Sequence, residues 1–351
     1  MESSSDAMKK RLCDSTTQRL NDPKTLRPYK HNEREKPFPD TTTLRPCDSK
    51  THRRTTVSLS APPTSYVILT NPVSGNMRVE QKLAALKEPA QILGADIHGL
   101  DTSKGYDLPR CARELVAKYD VIVVAGGDGT FSDVINAIDA SRTPIAYLPL
   151  GSGNALKYAL GYKGSLGEIA HRIKSGQIHE FDLIDCDRGK RAVTASIGIE
   201  GTALQIRSQL LAEGVKGFPA YLRALFAAYF KFYEPAVAEL ILDGAAYEIA
   251  DLLTILIAKH PYYGYGMNVV PRARFDDGRL HALWIKRGLV TSLFGFVTSF
   301  TVGNRIGRHM ICEELIVKLK KPLLLQTDGN TAWVSDRFSF RVLPKALKIK
   351  F

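Results

Sequence analysis

The chain has 351 residues, is 44% apolar and 24% charged, and carries a formal net charge of +12 with a pI near 9.4. That is the composition of an ordinary globular protein with room for a sizeable core, in one large domain or two smaller ones. Its five scattered cysteines (Cys13, Cys47, Cys111, Cys186, Cys312) lack CxxC spacing, which argues against a disulfide framework or zinc site and for a reducing compartment.

In chain order, residues 1–60 come first, polar and basic with almost no apolar periodicity. They bury too little surface to offset ordering entropy, and a disordered leader is expected. TLRP occurs at Thr25–Pro28 and again at Thr43–Pro46, which reads as chance repetition in a biased segment before it reads as a short linear motif. The opening MESSSDAMKKRLCD has no apolar run, so no secretory signal is expected.

From Tyr66 the texture changes. YVILTNP predicts a buried strand and turn, VEQKLAALKEPAQILG a helix, and PRCARELVAKY another helix. DVIVVAGGDG predicts a second strand, FSDVINAIDA a helix from Phe131, and PIAYLPLGSGN a third strand. This alternation predicts an α/β lobe over 62–185 with a mostly parallel sheet. Over 186–351, short strand-like runs dominate: FDLIDCD (just before it), AVTASIG, VAELILDG, DLLTILIA, LHALWI, LIVKLKK, LLLQTDG and FSFRVLP. They predict a β-rich second lobe whose final strands return toward the first, with helices at GFPAYLRALFAAYFKFY and LVTSLFGFVTSF. The stretch Gly288–Gly303 is uncharged but shorter than the roughly 20 residues of a spanning helix. A cleft between two lobes is a common ligand site.

Three strands of the first lobe end in unusual loops: NPVSGN (Asn71–Asn76), GGDGT (Gly126–Thr130) and LPLGSGN (Leu148–Asn154). Glycine lets backbone N–H groups approach phosphate, and Ser74, Thr130 and Ser152 add hydroxyl donors. Helices beginning just after the loops add favourable N-terminal dipoles. One such loop usually just turns. Three in one lobe, each at a strand's carboxyl end, point to a polyphosphate cradle.

In order, NPVSG, GGDGTFSDVINAI and PLGSGNALKYAL resemble the signature of the diacylglycerol kinase/sphingosine kinase catalytic family of lipid kinases. IGIEGTA, HPYYGYGM, PRARFDDGRL, GNRIGRH and QTDGN extend the resemblance over about 64–351. GGDGT also occurs in NAD kinases, but not joined to the other two loops. The resemblance implies a nucleotide-binding α/β lobe, a β-sandwich-like lipid-binding lobe, ATP in the cleft and Mg2+ with its phosphates.

Residue by residue, it makes Asp128 the carboxylate that activates the lipid hydroxyl or holds magnesium. It places Asn71, Pro72, Ser74, Gly75, Gly126, Gly127, Gly129 and Thr130 on the nucleotide. Gly151, Ser152, Gly153 and Asn154 join them, as do Thr102, Asp133 (usually Glu in the family) and the Asp328–Gly329–Asn330 turn. Asn330 replaces the family's glutamate. FDDG resembles a structural-magnesium segment, implying metal at Asp276 or Asp277, although His281 stands where an acidic residue is usual. Thr202 aligns with the carboxylate that recognises a sphingoid ammonium, and Glu200 stands two positions away. The neutral threonine leans toward a neutral lipid, whereas the PLGSGNALK wording is closer to sphingosine kinases.

The expected function is therefore ATP-dependent phosphorylation of a hydroxyl on a neutral or sphingoid lipid. The alternatives are a non-catalytic lipid- or nucleotide-binding regulator, motivated by Asn330, and a kinase of a soluble acceptor such as NAD. The expected location is cytoplasmic. Phe218–Tyr233 and Ser292–Phe300 read first as core helices between lobes, and alternatively as lid or docking helices that, with nearby Lys and Arg residues, would give peripheral contact with anionic membrane. No nucleic-acid motif accompanies the basic charge. A homodimer is left open.

Overall fold

The computed structural model describes residues 64–72, 75, 77–100 and 107–351; the polar leader expected at 1–60, Ser74 and Thr102 lie outside these. The first lobe begins with β1 (Tyr66–Thr70), α1 (Val79–Leu93), β2 (Asp96–His98) and α2 (Leu108–Leu115). It continues with β3 (Val121–Gly126), α3 (Asp128–Ala137), β4 (Ile145–Pro149), α4 (Ala155–Ala159) and α5 (Leu166–Ser175). β4, β3, β1 and β2 lie side by side and parallel. Helices cover such a sheet on both faces, which is why β1 and β3 are buried along their whole length. Ser165 and Glu168 form a reciprocal capping box that fixes the start of α5.

The second lobe contains β5 (Ile178–Cys186), β6 (Lys190–Ala192), β7 (Thr194–Gly198), α6 (Ile199–Ala212) and α7 (Gly217–Ala227). A π-helical turn, Ala228–Phe232, ends α7. β8 (Ala236–Leu242), β9 (Ala245–Ala258), β10 (Leu280–Lys286), α8 (Leu289–Phe300), β11 (Arg308–Cys312), β12 (Glu314–Thr327) and β13 (Asn330–Lys350) follow. These strands pair antiparallel and enclose a core of Leu240, Ile255, Val317, Phe338 and neighbours. The two-lobed architecture, α/β then β-sandwich-like, is the expected one.

Element boundaries differ in two instructive places. The helix expected from Phe131 starts at Asp128, so half of the glycine loop is the first helical turn. LIVKLKK and LLLQTDG form one strand through Pro322, which is tolerated because the register with β13 shifts between Lys318 and Leu323. FSFRVLP is the middle of a 21-residue strand, β13. That strand pairs with β12 and β5, then meets β4 in parallel at Ile349↔Ile145. One sheet thus passes through both lobes, and Leu347 and Ile349 pack in the first lobe's core.

Candidate active site

The loops after β3 and β4 are pressed together at the sheet's carboxyl edge. A Cβ on Gly151 would lie 2.4 Å from Cα of Gly127, and one on Gly153 would lie 3.3 Å from Cα of Gly264. No side chain fits at the first of these contacts, and at the second the neighbouring backbone would have to give by a few tenths of an ångström. Gly127 caps α3, whose N-terminal dipole suits an anion. Asp128 begins that helix and ties the loops together: Ala155 N–H donates to its Oδ2 at 2.9 Å and Leu156 N–H to its Oδ1 at 3.1 Å. Burial raises the Asp128 pKa against those hydrogen bonds. Lys82, only 1% exposed, donates to the carbonyls of Asn71 (2.6 Å) and Pro72 (3.0 Å), anchoring the loop after β1.

The hairpin between β12 and β13 reaches in from the second lobe. Asp328 and Gly329 have φ of 49° and 82°, the conformation of a two-residue primed turn, so Asp-Gly here also serves the hairpin itself. Asp328 Oδ1 accepts from Val193 N–H (3.1 Å), Thr194 N–H (2.8 Å) and the Thr194 hydroxyl (3.2 Å). Burial nevertheless lifts its pKa to about 6. Next to it, Asn330 Nδ2 donates to the Gly129 carbonyl at 3.4 Å, which a glutamate could not do when ionised.

The far half of the cavity is built by α6 and the HPYYGYGM loop. Glu200, Ala203, Leu204 and Arg207 recur at helical spacing and line it from one face. Burial pushes Glu200 up to about 7, although the Thr254 hydroxyl donates to its Oε2 at 2.6 Å. Burial lowers His260 to about 4, so it is neutral. Arg207 Nε, His260 Nδ1 and the hydroxyls of Tyr263 and Tyr265 are buried with no protein partner among the described residues. Tyr265 N–H donates to the Gly153 carbonyl at 2.8 Å and holds this loop against the first lobe. The whole cavity measures about 380 Å3.

The structure gathers most of the expected residues around this space. Asn71, Gly75, Gly127, Asp128, Gly129, Thr130 and Asp133 line it from one side, with Gly151, Ser152 and Gly153 beside them. Glu200, Asp328, Gly329 and Asn330 line it from the other. Pro72 and Gly126 frame the loops without lining the cavity. Asn154 folds its own loop, donating to the Gly151 carbonyl at 2.6 Å and accepting from the Tyr147 hydroxyl at 3.1 Å. Thr202 does not line the cavity: two residues along a helix from Glu200, it points roughly 200° away around the axis. Sequence reasoning missed Arg207, Tyr221, Tyr263 and His260. The Glu200/Arg207 spacing on one helix face was the available signal.

At the segment where the resemblance implied a metal, Asp277 is engaged by side chains of the protein itself. Asp277 binds Lys259 Nζ through Oδ1 (2.8 Å) and His281 Nε2 through Oδ2 (2.7 Å), while Lys259 also pairs with Asp182 at 3.0 Å. Burial opposes ionisation of Asp277, but these hydrogen bonds outweigh it and hold its pKa below the usual value. A fully buried ammonium thus supplies the positive charge a cation would bring. Among the described residues, no group of three or more His, Cys, Asp or Glu could hold a metal ion.

Residues 65–186 match the diacylglycerol kinase catalytic domain, and residues 195–351 match the YegS C-terminal NAD kinase beta sandwich-like domain. A diacylglycerol kinase of Bacillus subtilis (strain 168) is 21% identical over 75% of this chain and 88% of that protein. A diacylglycerol kinase of Mycobacterium tuberculosis (strain ATCC 25618 / H37Rv) is 24% identical over 80% of this chain and 93% of that protein. The crystal structure of a diacylglycerol kinase from Bacillus anthracis str. Sterne superposes with a TM-score of 0.61 at 20% identity, covering 82% of this chain and 97% of that one. That likeness is one of fold.

Proposed function

The chain belongs to the diacylglycerol kinase family of lipid kinases, and on that premise we propose that it moves the γ-phosphate of ATP onto the hydroxyl of a neutral glycerolipid. The observation that carries this reading is the close approach of Gly127 to Gly151 beside Asp128, in one cavity with the Glu200 and Arg207 face. Beside this contact, bare backbone and the start of α3 receive the phosphates, with no side chain on the glycines to screen their N–H groups. The tyrosine-lined half receives the acceptor. Its hydroxyl oxygen attacks the γ-phosphorus in line, the bond to the β-phosphate oxygen breaks, and ADP leaves.

Asp128 accepts the hydroxyl proton. Two N–H donors fix its orientation, a carboxylate has lone pairs beyond those two, and burial makes it more basic. The carboxylates of Asp133 and Asp328 line the same cavity and would hold Mg2+, which would neutralise charge on the transferred group. Glu200, whose pKa burial raises to about 7, meets an acceptor hydroxyl as donor when protonated and as acceptor when ionised. The names of the relatives favour diacylglycerol among neutral lipids. No helix among the described residues is long and apolar enough to cross a membrane, which accords with peripheral access to that lipid.

The test is transfer of labelled γ-phosphate to dispersed diacylglycerol, monoacylglycerol, ceramide and sphingosine, with NAD as a soluble control. A phosphorylated neutral lipid, lost by about a thousandfold in Asp128→Asn, is expected. Product from NAD alone would overturn the reading. ATP binding with no transfer to any acceptor would make the chain a regulator.

A further inference from the structure

α8 is an amphipathic helix facing the wrong way. Its buried positions are Gly295, Thr298 and Ser299, small or polar, whereas its outward stripe is Leu289, Val290, Leu293, Phe294 and Val297. Each of these is more than half exposed, and Val290 is 80% exposed. Core-facing helices show the opposite distribution, and apolar patches of this kind mark interaction surfaces. α7 lies beside it: Phe218 meets Phe300 at 5.9 Å, and the Arg287 guanidinium sits 5.4 Å over the Tyr229 ring. The start of one helix thus meets the end of the other, and Phe226 and Phe230 (49% and 56% exposed) add to the apolar surface.

Two further observations identify what covers it. Residues 214–233 and 284–312 contain no Asp or Glu, while Lys216, Lys231, Lys286, Arg287, Arg305 and Arg308 are all exposed within them. The surface also adjoins the cavity, because Phe218 contacts Tyr265 at 5.2 Å and Tyr221 at 6.2 Å, and both tyrosines line that space. A second copy of this chain would bring the same basic rim against itself. An anionic bilayer complements the charge, takes up the apolar side chains and holds water-insoluble acceptors.

We propose that α7 and α8 form a docking face for an anionic lipid bilayer, set so that the Phe218–Tyr265 contact borders the acceptor's path from bilayer to cavity. The inference rests on the lipid-kinase reading for its substrate but is tested by binding. Sedimentation would compare vesicles of phosphatidylcholine alone with an equal mixture of phosphatidylcholine and phosphatidylglycerol. Wild type should bind the mixed vesicles preferentially, and less so as salt rises. Val290→Glu with Val297→Glu, both at exposed positions, should reduce the bound fraction about tenfold or more. The same variant should phosphorylate a short-chain diacylglycerol below its aggregation concentration at the wild-type rate. Equal binding to both vesicle types, or binding unchanged in the variant, would overturn the docking face even if the chain proves a kinase. So would a dimer in sedimentation velocity that the variant dissociates.

Discussion

Asn330 donates from its side-chain nitrogen to the carbonyl of Gly129, joining the last hairpin of the second lobe to the glycine loop of the first. The contact is so close that a Cβ on Gly129 would lie 2.6 Å from Asn330 Oδ1. At the position where the resemblance implies a glutamate, this chain places a donor between lobes. Asn330→Asp keeps the size, loses the donor and places a charge beside the phosphates. The KM for ATP should rise about tenfold, as expected for one lost hydrogen bond with added repulsion. Steady-state kinetics at varied ATP checks this, and an unchanged KM would refute it.

Gly151→Ala tests the cradle directly. Its methyl carbon would need the space of the Gly127 backbone, so the two loops must part. Displacing reacting groups by about an ångström costs on the order of 100-fold in kcat/KM for ATP. Gly94→Ala serves as a control for glycine loss away from the site, since Gly94 has open space around it and a φ of 66° that an alanine adopts only with strain. It should lower Tm without changing the KM for ATP.

Glu200 carries a pH signature. Burial raises its pKa from 4.5 to about 7, so the folded chain holds this proton more tightly than the unfolded one. The stabilisation is fully present below the unfolded value and is lost as pH rises through the folded one. Glu200→Gln removes that titration. The variant should match wild type near pH 5 and be more stable by on the order of 2 kcal/mol near pH 8. Denaturant melts at both pH values decide it, and parallel curves would count against a raised Glu200 pKa.

Lys259 is the buried ion pair's only cation among Asp182, Asp277 and itself, with the neutral-leaning His281 on the fourth side. Lys259→Met leaves two carboxylates without that partner, an error that costs about 3–5 kcal/mol when a buried pair loses one member. Thermal melting should show a large fall in Tm. Wild type should melt at the same temperature with and without a chelator, and a chelator-induced fall would return a metal to Asp277.

The glycine loops proposed to cradle phosphate were legible in the sequence because their chemistry lies in backbone conformation. Glycine spacing at Gly126–Thr130 and Gly151–Gly153 states that conformation directly. What side chains do across the fold was much less legible. Lys259 and Asp182 meet across 77 positions, a separation no local pattern reports. The resemblance puts Thr202 with the substrate, whereas the phase of α6 turns Glu200 and Arg207 inward. Asp128 was read for chemistry alone, and its two bonds to the start of α4 appear only when β3 and β4 stand adjacent. The outward apolar stripe of α8 reads in sequence like an ordinary core helix, since periodicity gives a face but not its direction.

The path of β13 bears on how the molecule is made. The first lobe emerges early from the ribosome, yet two of its core side chains, Leu347 and Ile349, belong to strand β13. Its parallel neighbour at Ile349, Ile145 of β4, must wait through about 200 intervening residues for that partner. Until then the edge of β4 is an open template for wrong pairing. The lobe translated first is therefore finished last, and a nascent chain stalled before β13 should be a client for chaperones rather than a half-built enzyme.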